Sequence, residues 1–452
     1  MVFSNCSSLN VLSWEKSVQT LYFLQMRLFK SIYIGDVRTA LKMQNLIIHS
    51  SCARLLAIRE VTQISINKKI SGVDGQTSLT FFERFELNEF LRINVNNWVP
   101  QSLKKIVFRD KNGNLITLKV PTISDRAWHT LVTFALQPAH EAVFHPTNYG
   151  FRLSYSIYDV QNIFSLNLNK RSLGLQKRLL SFSLEKILYF FNHDFLIRKI
   201  IAPRSIKLGI FRLLKKGFSL GFEEEKVQVY SLSNLLSNVL LDGIENIHSC
   251  IRFGYSLVYF LKPFDNEKII INKVKSFLVS LGLNLTELTI SLTSSQFGFD
   301  FLGWHFKVSK NGKFLSTPSI SNYQNFLKRV KHIINNSNYG SNVKANKLYP
   351  VIKEWKLYHR FSYMNSSRFS LFFVKKRAFK IFNKESKQDY YSTKTLLDRC
   401  FYIVSSSDKV NFLNTFSISP YYGHMIFWIS SNHNRFDLKS EIFCIHCGMN
   451  VI

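Results

Sequence analysis

The chain has 452 residues, with 59 Lys and Arg against 29 Asp and Glu, giving a formal net charge of +30. A hydrophobic fraction of 46% that includes 41 Phe excludes a disordered basic tail, because so much apolar side chain offsets the entropy of ordering. The charge argues against a small-molecule enzyme of ordinary surface and for a polyanionic partner, nucleic acid ahead of an anionic membrane.

The first cation is Lys16, beside Glu15, so neither a signal-peptide n-region nor an Arg-rich transit peptide is expected at the start of the chain. No window of about 18 residues is apolar and uncharged, so no spanning helix and no membrane partner are expected. The six cysteines, Cys6, Cys52, Cys250, Cys400, Cys444 and Cys447, are too sparse for a disulfide framework. The abundance of Phe, Ile, Asn and Lys fits AT-rich codons and hence an organelle genome.

Along the chain, Lys104–Val120 reads as two β-rich runs around Asp110-Lys-Asn-Gly-Asn114, a hairpin signal. Ala127, Trp128, Leu131, Val132 and Ala135 recur at helical spacing and predict a helix over Ser124–Leu136, capped by Ser124. Leu235, Leu236, Val239, Leu240 and Ile247 predict a second helix over Leu232–Ile247. Phe301–Leu315 repeats the hairpin pattern around Asn311-Gly312.

The charge is concentrated near the end. Residues 221–300 hold 9 acids and 6 bases, whereas residues 301–380 hold 16 Lys or Arg and one acid, Glu354. Apolar spacing predicts three helices in this cationic stretch, Asn322–Asn335, Val343–Phe361 and Ser366–Lys384. The candidate phosphate contacts are Lys328, Arg329 and Lys331 on the first. Lys344, Lys347, Lys353, Lys356 and Arg360 follow on the second, and Arg368, Lys375, Lys376 and Arg377 on the third. Tyr349, Ile352 and Trp355 step by three along one stripe, and Lys353, Lys356 and Arg360 step by three and four along another and are expected to share one face. An isolated charge run is usually a solvated face, but this many cations cannot be neutralised internally, so nucleic-acid phosphate is the expected partner. Trp355, Tyr358 and Tyr363 suit base stacking, although each taken singly fits a core position better.

Several short stretches also occur in a telling order. Gly72-Val-Asp-Gly75 follows Leu56-Ala-Ile-Arg-Glu-Val-Thr62. Then come Val120-Pro-Thr-Ile-Ser-Asp-Arg126, Leu136-Gln-Pro-Ala-His-Glu-Ala142 and Asn148-Tyr-Gly-Phe-Arg152. Asn192-His193, Leu235-Leu-Ser-Asn238 and Gly298-Phe-Asp-Phe-Leu-Gly303 complete the series. Together they resemble the reverse-transcriptase domain of group II intron-encoded proteins, the maturases. The cationic helices, with Thr317-Pro-Ser319 ahead and Glu354-Trp-Lys-Leu-Tyr358 within, resemble that family's thumb or X domain. The likeness spans residues 14–447.

The resemblance implies an α+β fold. A helical N-terminal extension (1–85) would precede right-hand reverse-transcriptase-like fingers and palm (86–312). An all-α thumb/X domain (313–400) and a truncated remnant of the DNA-binding and endonuclease region (401–452) would follow. It also implies where chemistry is lost. Family polymerases hold two metal ions with three palm aspartates, and those positions map to Ser183, Tyr255 and Ser256, with Glu185 alone nearby. The family's Pro-Gln-Gly turn maps to Val227-Gln-Val229, and an Arg near the triphosphate maps to Ile116. Cys444-Ile-His-Cys447 has knuckle spacing but offers two adjacent ligands where a closed zinc site needs four. The expectation is therefore a non-enzymatic RNA-binding splicing cofactor for a group II or group III intron. It would have intron RNA as partner, no cofactor or metal, and a plastid setting, with the mitochondrion as alternative.

Overall fold

The computed structural model describes residues 9–65, 70–109, 115–152, 155–189, 191–218, 220, 231–363, 371–386 and 389–401. Within them the chain mixes helix and sheet, as expected. Four N-terminal helices, α1 (Leu9–Ile34), α2 (Val37–His49), α3 (Ser51–Arg59) and α4 (Phe81–Asn94), precede the hairpin β1 (Lys104–Arg109) and β2 (Leu115–Val120). Helix starts follow local side-chain chemistry. Asp36 accepts from Thr39 N at 3.0 Å to open α2, and Thr80 with Glu83 forms a reciprocal box at the head of α4.

The long helix α5 (Ile123–Glu141) is the axle of this half, with every residue from Asp125 to Glu141 buried. Its cap is Thr122, whose hydroxyl accepts from Asp125 N at 3.3 Å, and not Ser124, which lies inside the first turn. The helix also runs past Leu136, through Pro138. Proline has no N–H for the carbonyl four residues back, and the fold supplies one from elsewhere. Gln25 of α1 donates to Phe134 O at 2.9 Å. Gln44 of α2 donates to Ala135 O at 3.2 Å and to Ile201 O at 2.7 Å. The N-terminal helices are thus stitched to the proline-containing turns of α5.

Next come α6 (Ile157–Asn167), β3 (Arg178–Ser183), α7 (His193–Lys199), α8 (Arg204–Lys215), α9 (Ser231–Leu241), β4 (Cys250–Phe253), β5 (Ser256–Leu261), α10 (Glu267–Ser280) and β6 (Thr289–Ser294). The helix expected over Leu232–Ile247 is shorter than the apolar pattern suggests. It ends at Leu241, Gly243 takes φ 99°, and Ile244–Ile247 form a separate 3-10 turn. The four strands make an antiparallel sheet in the order β4-β5-β3-β6. Alternation sends Leu180, Phe182, Leu257, Tyr259 and Leu261 into the main core with α5. It sends Leu179, Val258 and Phe260 into a second core with α6 and a three-stranded sheet. That sheet is β7 (Phe299–Phe301), β8 (Trp304–Val308) and β9 (Phe314–Pro318), and its β8–β9 turn carries Gly312 at φ 77°.

The motif residues turn out to be braces of this scaffold. A Cβ on Gly150 would lie 1.8 Å from the backbone nitrogen of Gly254, so only glycine fits under the β4–β5 turn. Arg252 is buried and donates to Glu245 Oε1 at 2.6 Å and Asn238 Oδ1 at 2.9 Å, while Asn238 donates to Gly150 O at 2.8 Å. Arg152 forms a second buried pair with Glu141, donating from Nε at 2.8 Å. Each pair is fully desolvated, so removing one member strands the other charge, typically at a cost of about 3–5 kcal/mol.

The cationic region folds as α11 (Ile320–Asn335), α12 (Ser341–Tyr358), α13 (Phe372–Ser386) and α14 (Tyr390–Cys400) around a third core that includes Val330, Ile352, Phe382 and Leu397. The fourth helix has no counterpart in the sequence reading. This bundle docks on the three-stranded sheet: the Tyr358 ring stacks on Trp304 at 4.8 Å, and Tyr158 donates to Leu357 O at 3.1 Å. Asn322 donates to Gly303 O at 3.1 Å. Among the described residues, no helix is long and apolar enough to cross a membrane.

Candidate nucleic-acid interface

Two places bear on chemistry: one end of the four-stranded sheet and the outer face of the cationic bundle. At the sheet end, Ser183 of β3 sits directly across from Ser256 of β5, and Tyr255 precedes Ser256 in the tight turn. Three residues far apart in sequence therefore meet at one point. Both serines are half-buried and neutral. Tyr255 is turned into the core, where its hydroxyl donates to Leu220 O at 2.6 Å and its ring packs 5.4 Å from that of Phe151. Glu185 is exposed just beyond the strand. Hydroxyl groups without charge do not hold a divalent cation at a site that needs several oxygen anions. Among the described residues, no group of three His, Cys, Asp or Glu is placed to hold a metal. Val227-Gln-Val229, the side chain of Ile116 and the Cys444 and Cys447 residues lie outside what is described.

The cationic bundle is more selective than its sequence suggests. On α11, Phe326, Val330 and Ile334 face the core, and Lys328, Arg329 and Lys331 are exposed. On α12, Lys344 is fully buried on the packed stripe of Ser341, Ala345, Leu348 and Ile352, so it leaves the set of phosphate contacts. Lys347 is exposed, with its ammonium 3.6 Å from the Tyr339 ring centroid.

Lys353, Lys356 and Arg360 do not form the open face expected of them. Lys353 is half-buried, 5.6 Å from the Tyr349 ring. Lys356 reaches across to donate to Phe401 O at 3.0 Å, and burial, with Lys375 nearby, pulls its pKa below the ordinary lysine value. Arg360 lies past the end of α12, its guanidinium 4.3 Å from the Tyr158 ring and 4.6 Å from the Phe361 ring. Lys356 and Arg360 therefore tie the bundle together and to α6.

On α13, Lys376 and Arg377 are exposed, while Lys375 pairs with Asp398 at 2.6 Å. Arg368 lies outside the described residues. Arg377 donates to Asn335 Oδ1 at 3.2 Å, which brings the exposed stripe Lys328, Lys331, Asn335 of α11 against the stripe Phe373, Arg377, Lys380, Lys384 of α13. Lys380 and Lys384 extend the cationic surface and were missed by the sequence reading, although their spacing of three and seven from Arg377 placed them there. Trp355 and Tyr358 are packing residues, as their single-residue reading suggests. The exposed rings on the bundle are instead Phe361, Tyr363, Phe372, Phe373, Tyr390 and Tyr391. A cationic surface with exposed aromatics has the chemistry to hold a phosphate backbone and stack unpaired bases.

Comparison with known proteins adds the decisive observation. The model of the N-terminal domain of reverse transcriptase matches residues 10–91, from the start of α1 to Leu91 in α4. Maturase-like protein 1 of Euglena gracilis is 54% identical over 448 residues, covering 97% of this chain and 96% of the relative. The chain belongs to the maturase-like protein 1 family. Its counterpart in Euglena longa is 47% identical over 452 residues, covering 99% of both chains. Protein YkfC of Escherichia coli strain K12 is 23% identical over 210 residues, 42% of this chain and 53% of that protein. Family membership thus covers the sheet, the helical bundle and the N-terminal helices together.

Proposed function

We propose that this protein is an intron maturase: an RNA-binding splicing cofactor that stabilises a folded group II or group III intron whose own RNA carries out the splicing. The observation that carries this reading is the near full-length identity to maturase-like proteins, which spans the cationic bundle as well as the sheet. In this reading β1–β2 are fingers, the four-stranded sheet is a palm, and α11–α14 are the thumb. Ser183, Tyr255 and Ser256 stand where palm aspartates would hold metal ions, so the protein neither polymerises DNA nor needs a cofactor. A meeting of those three residues at one end of the sheet supports this.

RNA helices are recognised largely through sugar and phosphate contacts and shape, with base reading confined to loops and bulges. Lys328, Arg329, Lys331, Lys347, Lys376 and Arg377 are the contacts proposed for the phosphate backbone. The AT-biased composition and the Euglena relatives favour a plastid setting. Crosslinking tagged protein in cells and sequencing the bound RNA tests the reading. Intron-containing precursors should be enriched over spliced messages, and equal recovery of both would refute it.

A further inference from the structure

Two aromatic side chains outside the cationic bundle stand almost wholly in water. Phe264 is 99% exposed and Phe297 is 84% exposed, the largest values among the exposed apolar side chains described. Both project from tight turns at the same end of the four-stranded sheet. In the register of β3, Arg178 pairs with Leu261 on one side and Ser294 on the other. The two turns therefore leave the sheet on either side of Arg178, about 10 Å apart at two interstrand spacings of roughly 4.8 Å. This is the opposite end of β3 from Ser183.

Neither turn is loose. Lys262 N donates to Asp265 Oδ2 at 2.6 Å, Asp265 N donates to Lys262 O at 3.1 Å, and Arg178 donates to Asp265 O at 2.6 Å. Across the sheet, Phe297 N and Gly298 N both donate to Ser294 O, at 3.1 and 3.2 Å. Ser295 Oγ donates to Gly174 O at 2.6 Å. Both rings are thus held out on anchored backbone, so little entropy remains to be lost when something stacks on them.

The charge around them fixes the kind of partner. Val308 N donates to Ser295 O at 2.9 Å, which brings the β8–β9 turn to the same end of the molecule. Lys170, Arg171, Lys177, Lys262, Lys310 and Lys313 lie on the segments that converge at this end: Ser295 N donates to Lys177 O at 3.2 Å, and Lys170 packs where a Cβ on Gly312 would touch it at 3.1 Å. The acids next to the two turns are already engaged, Glu267 with Arg178, Asp265 with His248 at 3.2 Å and Asp300 with His305 at 2.6 Å. Rings flanked by cations match a nucleotide, in which a flat base and an anionic phosphate come together.

We propose that this end of the sheet is a second RNA contact, a platform on which Phe264 and Phe297 stack unpaired nucleotides. It rests on the maturase reading only in taking RNA as the polyanion, and it uses none of the residues that reading assigns to the phosphate backbone. The test uses the full chain and a fluorescent oligouridylate of roughly 12 nucleotides, within the usual reach of a single-strand site. Phe264→Ser with Phe297→Ser removes rings that make little packing contact, so the folded circular dichroism spectrum should persist. Oligouridylate binding should weaken about tenfold or more, since loss of stacking is worth about 1–3 kcal/mol per base. Binding of a duplex of the same length should be unchanged. Crosslinks from 4-thiouridine should fall on peptides containing the two turns.

Wild-type affinity in the double variant would overturn the proposal. So would Phe-dependent flotation with phosphatidylserine vesicles when oligouridylate binding is unaffected. If wild-type protein binds structured intron RNA but not the oligouridylate, this proposal falls and the maturase reading stands. If it binds neither, both fall.

Discussion

Reversing the charge of two different triplets separates an RNA face from an internal brace. Lys328, Lys331 and Arg377 are exposed on the adjoining stripes of α11 and α13. Lys353, Lys356 and Arg360 are half-buried and engaged with Tyr349, with Phe401 O, and with Tyr158 and Phe361. With about six phosphates held, the log–log salt dependence of binding should have a slope of about −4, at roughly −0.7 per contact on single strands. The same relation makes each contact worth about fivefold at 0.1 M salt, so three lost contacts weaken binding about 100-fold. Changing Lys328, Lys331 and Arg377 to Glu should therefore flatten the slope to about −2 and leave the urea midpoint close to wild type. Changing Lys353, Lys356 and Arg360 to Glu should instead destabilise the fold by about 2 kcal/mol or more, through a lost charged hydrogen bond and three cation–π contacts. Fluorescence anisotropy across about 0.05 to 0.3 M KCl, with urea melts of the same samples, reads both quantities. The assignment is wrong if the first triplet keeps the wild-type slope, or if the second lowers affinity as much as predicted for the first with stability unchanged.

Further outcomes follow from buried groups. Gln25→Met should cost about 1–3 kcal/mol by leaving Phe134 O unpaired in the core, and less when Pro138→Ala restores the local N–H, a difference that a double-mutant cycle in urea would measure. His129, His140 and His359 are held neutral by burial with pKa values of about 3, and His140 Nε2 accepts from Ile201 N. Their contribution is complete above the unfolded value of about 6.5 and is lost as pH falls toward 3, so stability should drop by up to about 4 kcal/mol per pH unit below 6.5. Asp125 and Asp242, both raised chiefly by burial, act in the opposite direction near the unfolded carboxylate range, and urea midpoints across this span give the balance. Purified protein should extend no primer with Mg²⁺ or Mn²⁺. Tyr255→Asp should lower stability rather than restore synthesis, because it buries a carboxylate, removes the donor to Leu220 O and leaves a cavity beside Phe151.

Local chemistry made much of the fold legible. Asn311-Gly312 marked the β8–β9 hairpin, and the apolar stripes of α11, α12 and α13 were evident from spacing. What failed depended on partners far away in sequence. Nothing near Pro138 announces that Gln25, 109 residues before Phe134, will satisfy the carbonyl that its turn leaves open. The spacing of Lys353, Lys356 and Arg360 carries no trace of α14, whose end at Phe401 draws Lys356 away from solvent. The burial of Lys344 is legible in the sequence, since it lies four and eight residues before Leu348 and Ile352 and so shares their stripe. The meeting of Ser183 with Ser256 was implied by family resemblance alone, because strand order in a sheet is not written in periodicity.

The central claim concerns splicing, and a splicing reaction at limiting Mg²⁺ tests it most directly. An intron-containing precursor from the protein's own genome is incubated under conditions where the RNA folds poorly by itself. Wild-type protein should raise the spliced fraction, the Lys328, Lys331 and Arg377 charge reversal should not, and the reaction should need no nucleotide triphosphates. If wild-type protein leaves the splicing of every such intron unchanged while remaining folded, the maturase account is contradicted.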